Sequence, residues 1–319
     1  MEQNLKQLIA TGAAVYATQK KLANNDVARL TGINAGYISN IFRGNFTNEV
    51  NGKVVPIGDK HFHKLADLAG ISVKKQYWKT IATRQLVESI NTLEDAKENS
   101  RTAIIIDSTG MGKTLVGDTF CIKKPLHTYR LTVSSLYKLN DIINELAAML
   151  GVDFNNGAKN SQKTKVDMIA DRLKTIHHNG GRPIIIIDES ENLKTPVINM
   201  LKGLYDGINS YCSIVLIGTK ELLYKLTHDR KGSTDGKPQF FRRFKAGLKV
   251  ISPLEKSKDF KVFFESFVQD SGLQKLLTGL CENYGELHDY LVPALRQADE
   301  KGLPLTEDLF RIIYNLPKY

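Results

Sequence analysis

The sequence predicts an α/β chain: a parallel sheet flanked by helices, with an all-α helix-turn-helix domain before it and a helical lid after it. Three observations predict this. Apolar runs recur at 103–106, 183–187 and 213–217, and each ends in small or polar residues. Unbroken runs of this kind suit strands of a parallel sheet covered on both faces. Helical periodicity fills the intervals between them, as crossover helices require. Before about residue 75 and after Pro253 the pattern is helical alone. Four segments follow: a helix-turn-helix domain at 1–75, a linker and helix at 76–100, a core at 101–252 and a lid at 253–319.

In residues 25–44, Ala28 is small where two helices must approach closely. Gly32 sits at the turn, where a positive φ is needed, and Asn34 can cap the second helix. Ile33, Ile38 and Ile41 face the small core. The outward residues are polar or small enough for a DNA groove, and Tyr37, Ser39, Asn40 and Arg43 are the candidate contacts. A helical hairpin used for protein contacts is the alternative. Residues 45–59 read as a loop or short hairpin wing, and 61–69 as a helix. His61 and His63 read as packing or surface histidines. Residues 74–79 form a basic connector holding the only tryptophan, Trp78. Ile81, Leu86, Ile90 and Leu93 share a helix face, and 94–100 is a polar approach to the first strand.

That strand runs into Asp107-Ser108-Thr109-Gly110-Met111-Gly112-Lys113-Thr114. A strand, a small-residue loop and Gly-Lys-Thr have the layout of a phosphate-binding P-loop. Backbone N–H groups from Ser108 to Leu115 face phosphate oxygens, Lys113 reaches the β- and γ-phosphates, and Thr114 holds Mg²⁺. The ligand is therefore a nucleoside triphosphate with Mg²⁺. Asp107 stands where the pattern has its first glycine. The second apolar run ends in Asp188-Glu189 at the sheet edge where ligands bind. Asp188 would hold Mg²⁺, and Glu189 would activate the attacking water. The third run ends in Gly218-Thr219, and Thr219 could reach that water or the γ-phosphate. Arg242 and Arg243 could serve a neighbouring subunit's nucleotide as arginine fingers, or simply end an exposed basic helix.

Between these motifs, helices are expected at 139–150, 166–177 and 195–204, with a short strand at 131–133. The basic segment 155–165, with Lys159, Lys163 and Lys165, could follow a phosphate backbone or be a solvated loop. In the lid, Phe260, Phe263, Phe264 and Phe267 form one apolar stripe. Leu273, Leu276, Leu277 and Leu280 form a second, and Leu287, Leu291 and Leu295 a third. Thr306 caps the last helix.

Composition narrows the partners. Forty-four basic against 34 acidic residues give +10, which favours a polyanion, nucleic acid first. No run approaches the ~20 apolar residues of a membrane span, and the first residues lack the apolar core of a secretory signal. Three widely spaced cysteines fit reduced thiols in a cytoplasmic protein.

The motifs in this order resemble the AAA+ ATPases. With the helix-turn-helix added, the chain is similar to the MuB-like target-selection ATPases of Mu-type transposable phages. The likeness is carried by residues 110–114, 187–189, 215–219, 285–288 and 306–309. It implies an ATP-dependent, largely sequence-nonspecific double-stranded DNA binder in the bacterial host cytoplasm. Such a protein forms a helical filament with itself and activates a transposase. It also places Thr219 at the sensor position and His288 where the lid often offers an arginine to the γ-phosphate. Asp107 and His288 depart from the pattern and imply slow turnover. A helicase loader of the IstB or DnaC kind, and a nucleotide-sensing transcription regulator, are the competing functions.

Overall fold

The structure is a computed structural model that describes residues 3–50, 53–71, 77–154, 161–228 and 236–317. The chain divides into two compact units, Met1–Gln76 and Tyr77–Tyr319.

The first unit holds α1 (Gln3–Gln19), α2 (Asn24–Thr31), α3 (Ala35–Phe42), the strands β1 (Thr47–Val50) and β2 (Lys53–Pro56), and α4 (Asp59–Ala69). Gly32 closes α2 in the left-handed region with φ 64°, and the Asn34 side chain accepts the Gly36 N–H to cap α3. Ile33, Ile38 and Ile41 are buried beside Val27, Phe62 and Leu65. The segment read as a loop or wing is an antiparallel hairpin, β1 with β2. The unit is therefore helical with a two-stranded wing.

The second unit opens with α5 (Arg84–Asn99), β3 (Ala103–Ile106), α6 (Lys113–Lys123), β4 (Thr128–Thr132), α7 (Leu139–Leu150) and α8 (Gln162–His178). It continues with β5 (Ile184–Asp188), α9 (Thr195–Ile208), β6 (Ser213–Gly218), α10 (Lys220–Thr227), α11 (Lys237–Phe244) and β7 (Leu248–Val250). The lid is α12 (Lys256–Asp259), α13 (Lys261–Phe267), α14 (Ser271–Leu280), α15 (Tyr284–Glu300) and α16 (Glu307–Tyr314).

The sheet is parallel throughout, in the order β4-β5-β6-β3-β7. Its side chains alternate between two cores. Ile104, Ile106, Ile185, Ile187, Ile214 and Leu216 face the α7–α8–α9 side. Ala103, Ile105, Ile184, Ile186, Val215 and Ile217 face α5 and α6. Each fully buried isoleucine contributes about 1.5–3 kcal/mol, which is why the runs are unbroken. The order places β6 between β3 and β5, so the ends of all three predicted strands meet along one edge. The lid has its own core of Phe260, Phe263, Phe264, Leu273, Leu277, Leu287, Leu291 and Phe310. Phe267, Leu276, Leu280 and Leu295 lie at its margin, only partly buried. Among the described residues no helix is long and apolar enough to cross a membrane.

Two expectations need correction. The polar approach at 94–100 is the last turn and a half of α5, because Leu93 and Ala96 continue its buried face. Ile81 lies outside that helix, since Thr83 caps it by accepting the Leu86 N–H.

Candidate functional site

The loop after β3 is built to present backbone N–H groups. Gly110 and Gly112 take φ 75° and 88°, a region that side chains disfavour. α6 starts at Lys113, so its unpaired N–H groups face the loop. The Lys113 Nζ donates to the Ser108 carbonyl at 2.9 Å, closing the loop on itself. Asp107 needs no glycine, because its φ is negative. Its N–H donates to the Gly218 carbonyl at 3.0 Å, and its Oδ1 accepts the Ser108 N–H at 2.7 Å. The loop's entry is thereby tied to β6. Burial raises the Asp107 pKa above its ordinary value, partly offset by the Ser108 N–H and Lys113.

The lid closes over this loop. The Gly285 N–H donates to the Gly110 carbonyl at 2.9 Å. A Cβ on Gly110 would fall 2.9 Å from Asn283 Nδ2, so only glycine fits beneath the cap of α15. Loop and lid enclose a cavity of about 390 Å³. Gly110, Gly112, Lys113, Thr114 and Glu189 line it together with Trp78, Ile81 and Phe263. Thr109, Met111, Leu115 and His288 also line it. Ser108, Asp188 and Thr219 do not.

Trp78 is the main residue that sequence reasoning missed. Its ring stacks on Phe263 and Phe267, with centroids 4.7 and 5.7 Å apart, and meets His288 edge-on at 5.1 Å. The basic connector is thus the cavity's aromatic wall at Trp78, while its residues 74–76 lie outside the described ones. A lone tryptophan ahead of an amphipathic helix was the available signal. His288 also pairs through Nδ1 with Asp289 at 2.9 Å.

Asp188 is fully buried. Its Oδ1 accepts the Glu189 N–H at 2.9 Å, and its Oδ2 accepts from Arg130 Nη2 at 2.8 Å. Arg130, on β4, also bonds Asp118 on α6 and was not foreseen as part of the site. Glu189 is exposed and takes φ 53°, an uncommon value for a side-chain-bearing residue. That twist directs it away from the strand into the cavity lining. Asn192 Nδ2 donates to its Oε2 at 3.3 Å. The hydroxyl of Thr114 and the carboxylate of Asp188 are hard oxygen donors, and such a set fits Mg²⁺.

Thr219, at the end of β6, spends its hydroxyl on the Glu221 N–H at 3.3 Å, capping α10. The two arginines of α11 differ. Arg243 makes a two-pronged ion pair with Asp206, at 2.9 and 3.0 Å, and lies over the Tyr205 ring. Arg242 is exposed and makes no hydrogen bond or ion pair among the described residues.

In the first unit, Arg43 is exposed and Ser39 is half-buried. Tyr37 packs edge-on against His61, centroids 5.2 Å apart, while Asn40 Nδ2 donates to Asn48 on the wing at 3.1 Å. These two brace the hairpin and α4 against α3. Lys163 is 89% exposed, whereas Lys165 lies over the Phe154 ring at 4.9 Å. Lys159 falls outside the described residues.

With this geometry in place, comparison with known proteins places the core. Residues 80–226 match the family described as "AAA domain". That segment is similar to an AAA domain. The match holds the P-loop, Asp188, Glu189 and Thr219, and stops before Arg242. Two solved structures share the fold. One is Cdc6p from Pyrobaculum aerophilum, 14% identical, with a TM-score of 0.54 over 72% of this chain and 65% of that one. The other is the Aeropyrum pernix Orc1 protein in complex with DNA, 14% identical, with a TM-score of 0.52 over 76% of this chain and 67% of that one. The chain therefore spans about two thirds of the length of either. No curated protein matches the sequence. The AAA domain accounts for the parallel sheet, the P-loop and the adjoining helices as one AAA+ P-loop fold.

Proposed function

We propose that this chain is an ATP-hydrolysing switch that binds duplex DNA largely without regard to sequence. On this reading it assembles on DNA as a filament and delivers the DNA to a transposase, as the MuB-like ATPases do. One observation carries the nucleotide part. The Gly110–Thr114 loop, Glu189 and the lid line a single cavity together with Trp78, Ile81 and Phe263. A cavity lined both by an anion cradle and by aromatic and aliphatic side chains suits a triphosphate and its base. The order of motifs and the helix-turn-helix unit support the transposition part.

The residues divide the work. Lys113 leaves the Ser108 carbonyl to meet the phosphates. Mg²⁺, when held by Thr114 and Asp188, neutralises phosphate charge. Glu189 accepts the proton of the attacking water, and Asn192 fixes its carboxylate. Arg242, which makes no side-chain hydrogen bond or ion pair among the described residues, serves a neighbour's site, whereas Arg243 braces α11. Arg43, Ser39 and Lys163 meet the DNA backbone.

A helicase-loading role is the second reading; the Aeropyrum pernix Orc1 protein, which shares the fold, is seen in complex with DNA. Electron microscopy of the purified chain with random duplex DNA separates them. With ATP or a slowly hydrolysed analogue, filaments are expected, and with ADP they should disperse. Discrete particles, or a preference for single strands, would overturn the filament reading. Lys113→Ala should abolish both nucleotide binding and filaments. Glu189→Gln should keep both and slow hydrolysis by about 10²–10⁴-fold.

A further inference from the structure

The buried side of the metal carboxylate holds an arrangement that nucleotide binding does not require. Arg130 is 14% exposed and lies between Asp188, with no exposure at all, and Asp118, which is 57% exposed. Its guanidinium spans β4, β5 and α6. α6 is shaped to receive it: a Cβ on Gly117 would fall 2.7 Å from Arg130 Cδ and 2.8 Å from Cζ. The Arg130 Nε is buried without a hydrogen-bond partner. A structural ion pair in the interior normally satisfies all its donors. Here one nitrogen serves each carboxylate and the third is left without a partner among the described residues.

We propose that Arg130 is a positioning residue that occupies the Asp188 carboxylate until the metal–nucleotide complex arrives, and so sets how much Mg²⁺ the site needs. The inference rests on the nucleotide-site reading given above. A fixed positive charge 2.8 Å from Oδ2 opposes a divalent cation approaching the same group, and in a buried setting little water screens that repulsion. Asp118 supplies the alternative anchor. When the cation takes up Asp188, Arg130 keeps its outer bond to Asp118 and turns toward solvent. The site then exchanges one counter-charge for another and never leaves a buried carboxylate unpaired.

The test is a titration of a fluorescent ATP analogue binding to the full chain at increasing Mg²⁺. Arg130→Met keeps the side chain's length and removes its charge. It should lower the Mg²⁺ concentration for half-maximal tightening by about tenfold, while affinity for the analogue in excess chelator stays unchanged. Mg²⁺ alone should also raise the melting temperature of this variant more than that of the parent chain. Gly117→Ala is the second variant, for it fills the niche and moves the guanidinium without removing it. Alanine suits a helix interior better than glycine, so the chain should fold, and the Mg²⁺ midpoint should again fall. A midpoint unchanged or raised in the folded variants, with the analogue still bound, overturns the role of Arg130 alone. Failure of the parent chain to bind the analogue at any Mg²⁺ concentration overturns the nucleotide-site reading and this inference with it.

Discussion

At Asp107 a carboxylate is buried beside a loop that has the form of a phosphate cradle. The backbone explains why an aspartate can occupy the position. Its φ is negative, its N–H is spent on β6, and its Oδ1 receives the Ser108 N–H. The charge is another matter. Burial raises its pKa above 3.8, so the folded chain keeps this proton to higher pH than the unfolded chain does. Stability therefore falls as pH rises from 3.8 through the raised folded-state pKa. Asp107→Asn retains the acceptor for Ser108 and removes the charge. It should melt higher than the parent at pH 7, by about 2–4 °C for each kcal/mol recovered, and the difference should shrink toward pH 4. It should also bind ATP more tightly, since a negative charge near the phosphates is gone. Identical melting at pH 7, or weaker binding, would show that the carboxylate has a positive role in the loop.

The elements carry the site by where they end. β3, β5 and β6 were legible because both faces of the sheet are buried, so every position in each run had to be apolar. The same physics made Asp188, Glu189 and Thr219 visible, since polar residues gather at the strand ends, where Asp188, though buried, finds Arg130 and the Glu189 N–H as partners. Trp78 and Arg130 were not legible. Trp78 lies in an irregular segment whose partners, Phe263, Phe267 and His288, are about 185–210 residues away in sequence. Arg130 reads as an ordinary basic residue until β4 is paired beside β5 in register, which sets Arg130 against Ile186 and Thr132 against Asp188. The wing was only half legible, because two four-residue strands are too short to show a period. The position of Trp78 also makes a prediction. It is the only tryptophan, so its fluorescence reports this wall alone. ATP should change that emission, and Lys113→Ala should abolish the change. Emission indifferent to saturating ATP would remove Trp78 from the nucleotide's surroundings.

For the molecule as a whole, the question is whether one chain completes its own site. Lys113, Thr114 and Glu189 line the cavity, but among the described residues no arginine does. On α11, Arg243 is committed to Asp206, whereas Arg242 faces solvent. If Arg242 acts on a neighbour, its loss and the loss of Glu189 damage different parts of a shared site. Arg242→Ala should bind ATP with unchanged affinity and hydrolyse it about 10³-fold more slowly, the scale of an arginine finger. Glu189→Gln should be slow for its own reason. Mixed on DNA, the two inactive variants should regain turnover, because some junctions then join an intact Glu189 to an intact Arg242. Arg243→Ala should instead lower the melting temperature modestly, as a partly exposed pair contributes only about 1 kcal/mol, and should leave most turnover in place. Variants that stay inactive when mixed would place every catalytic group in one chain and leave assembly on DNA without a catalytic purpose. Recovery proportional to the fraction of mixed junctions would make the filament itself the enzyme.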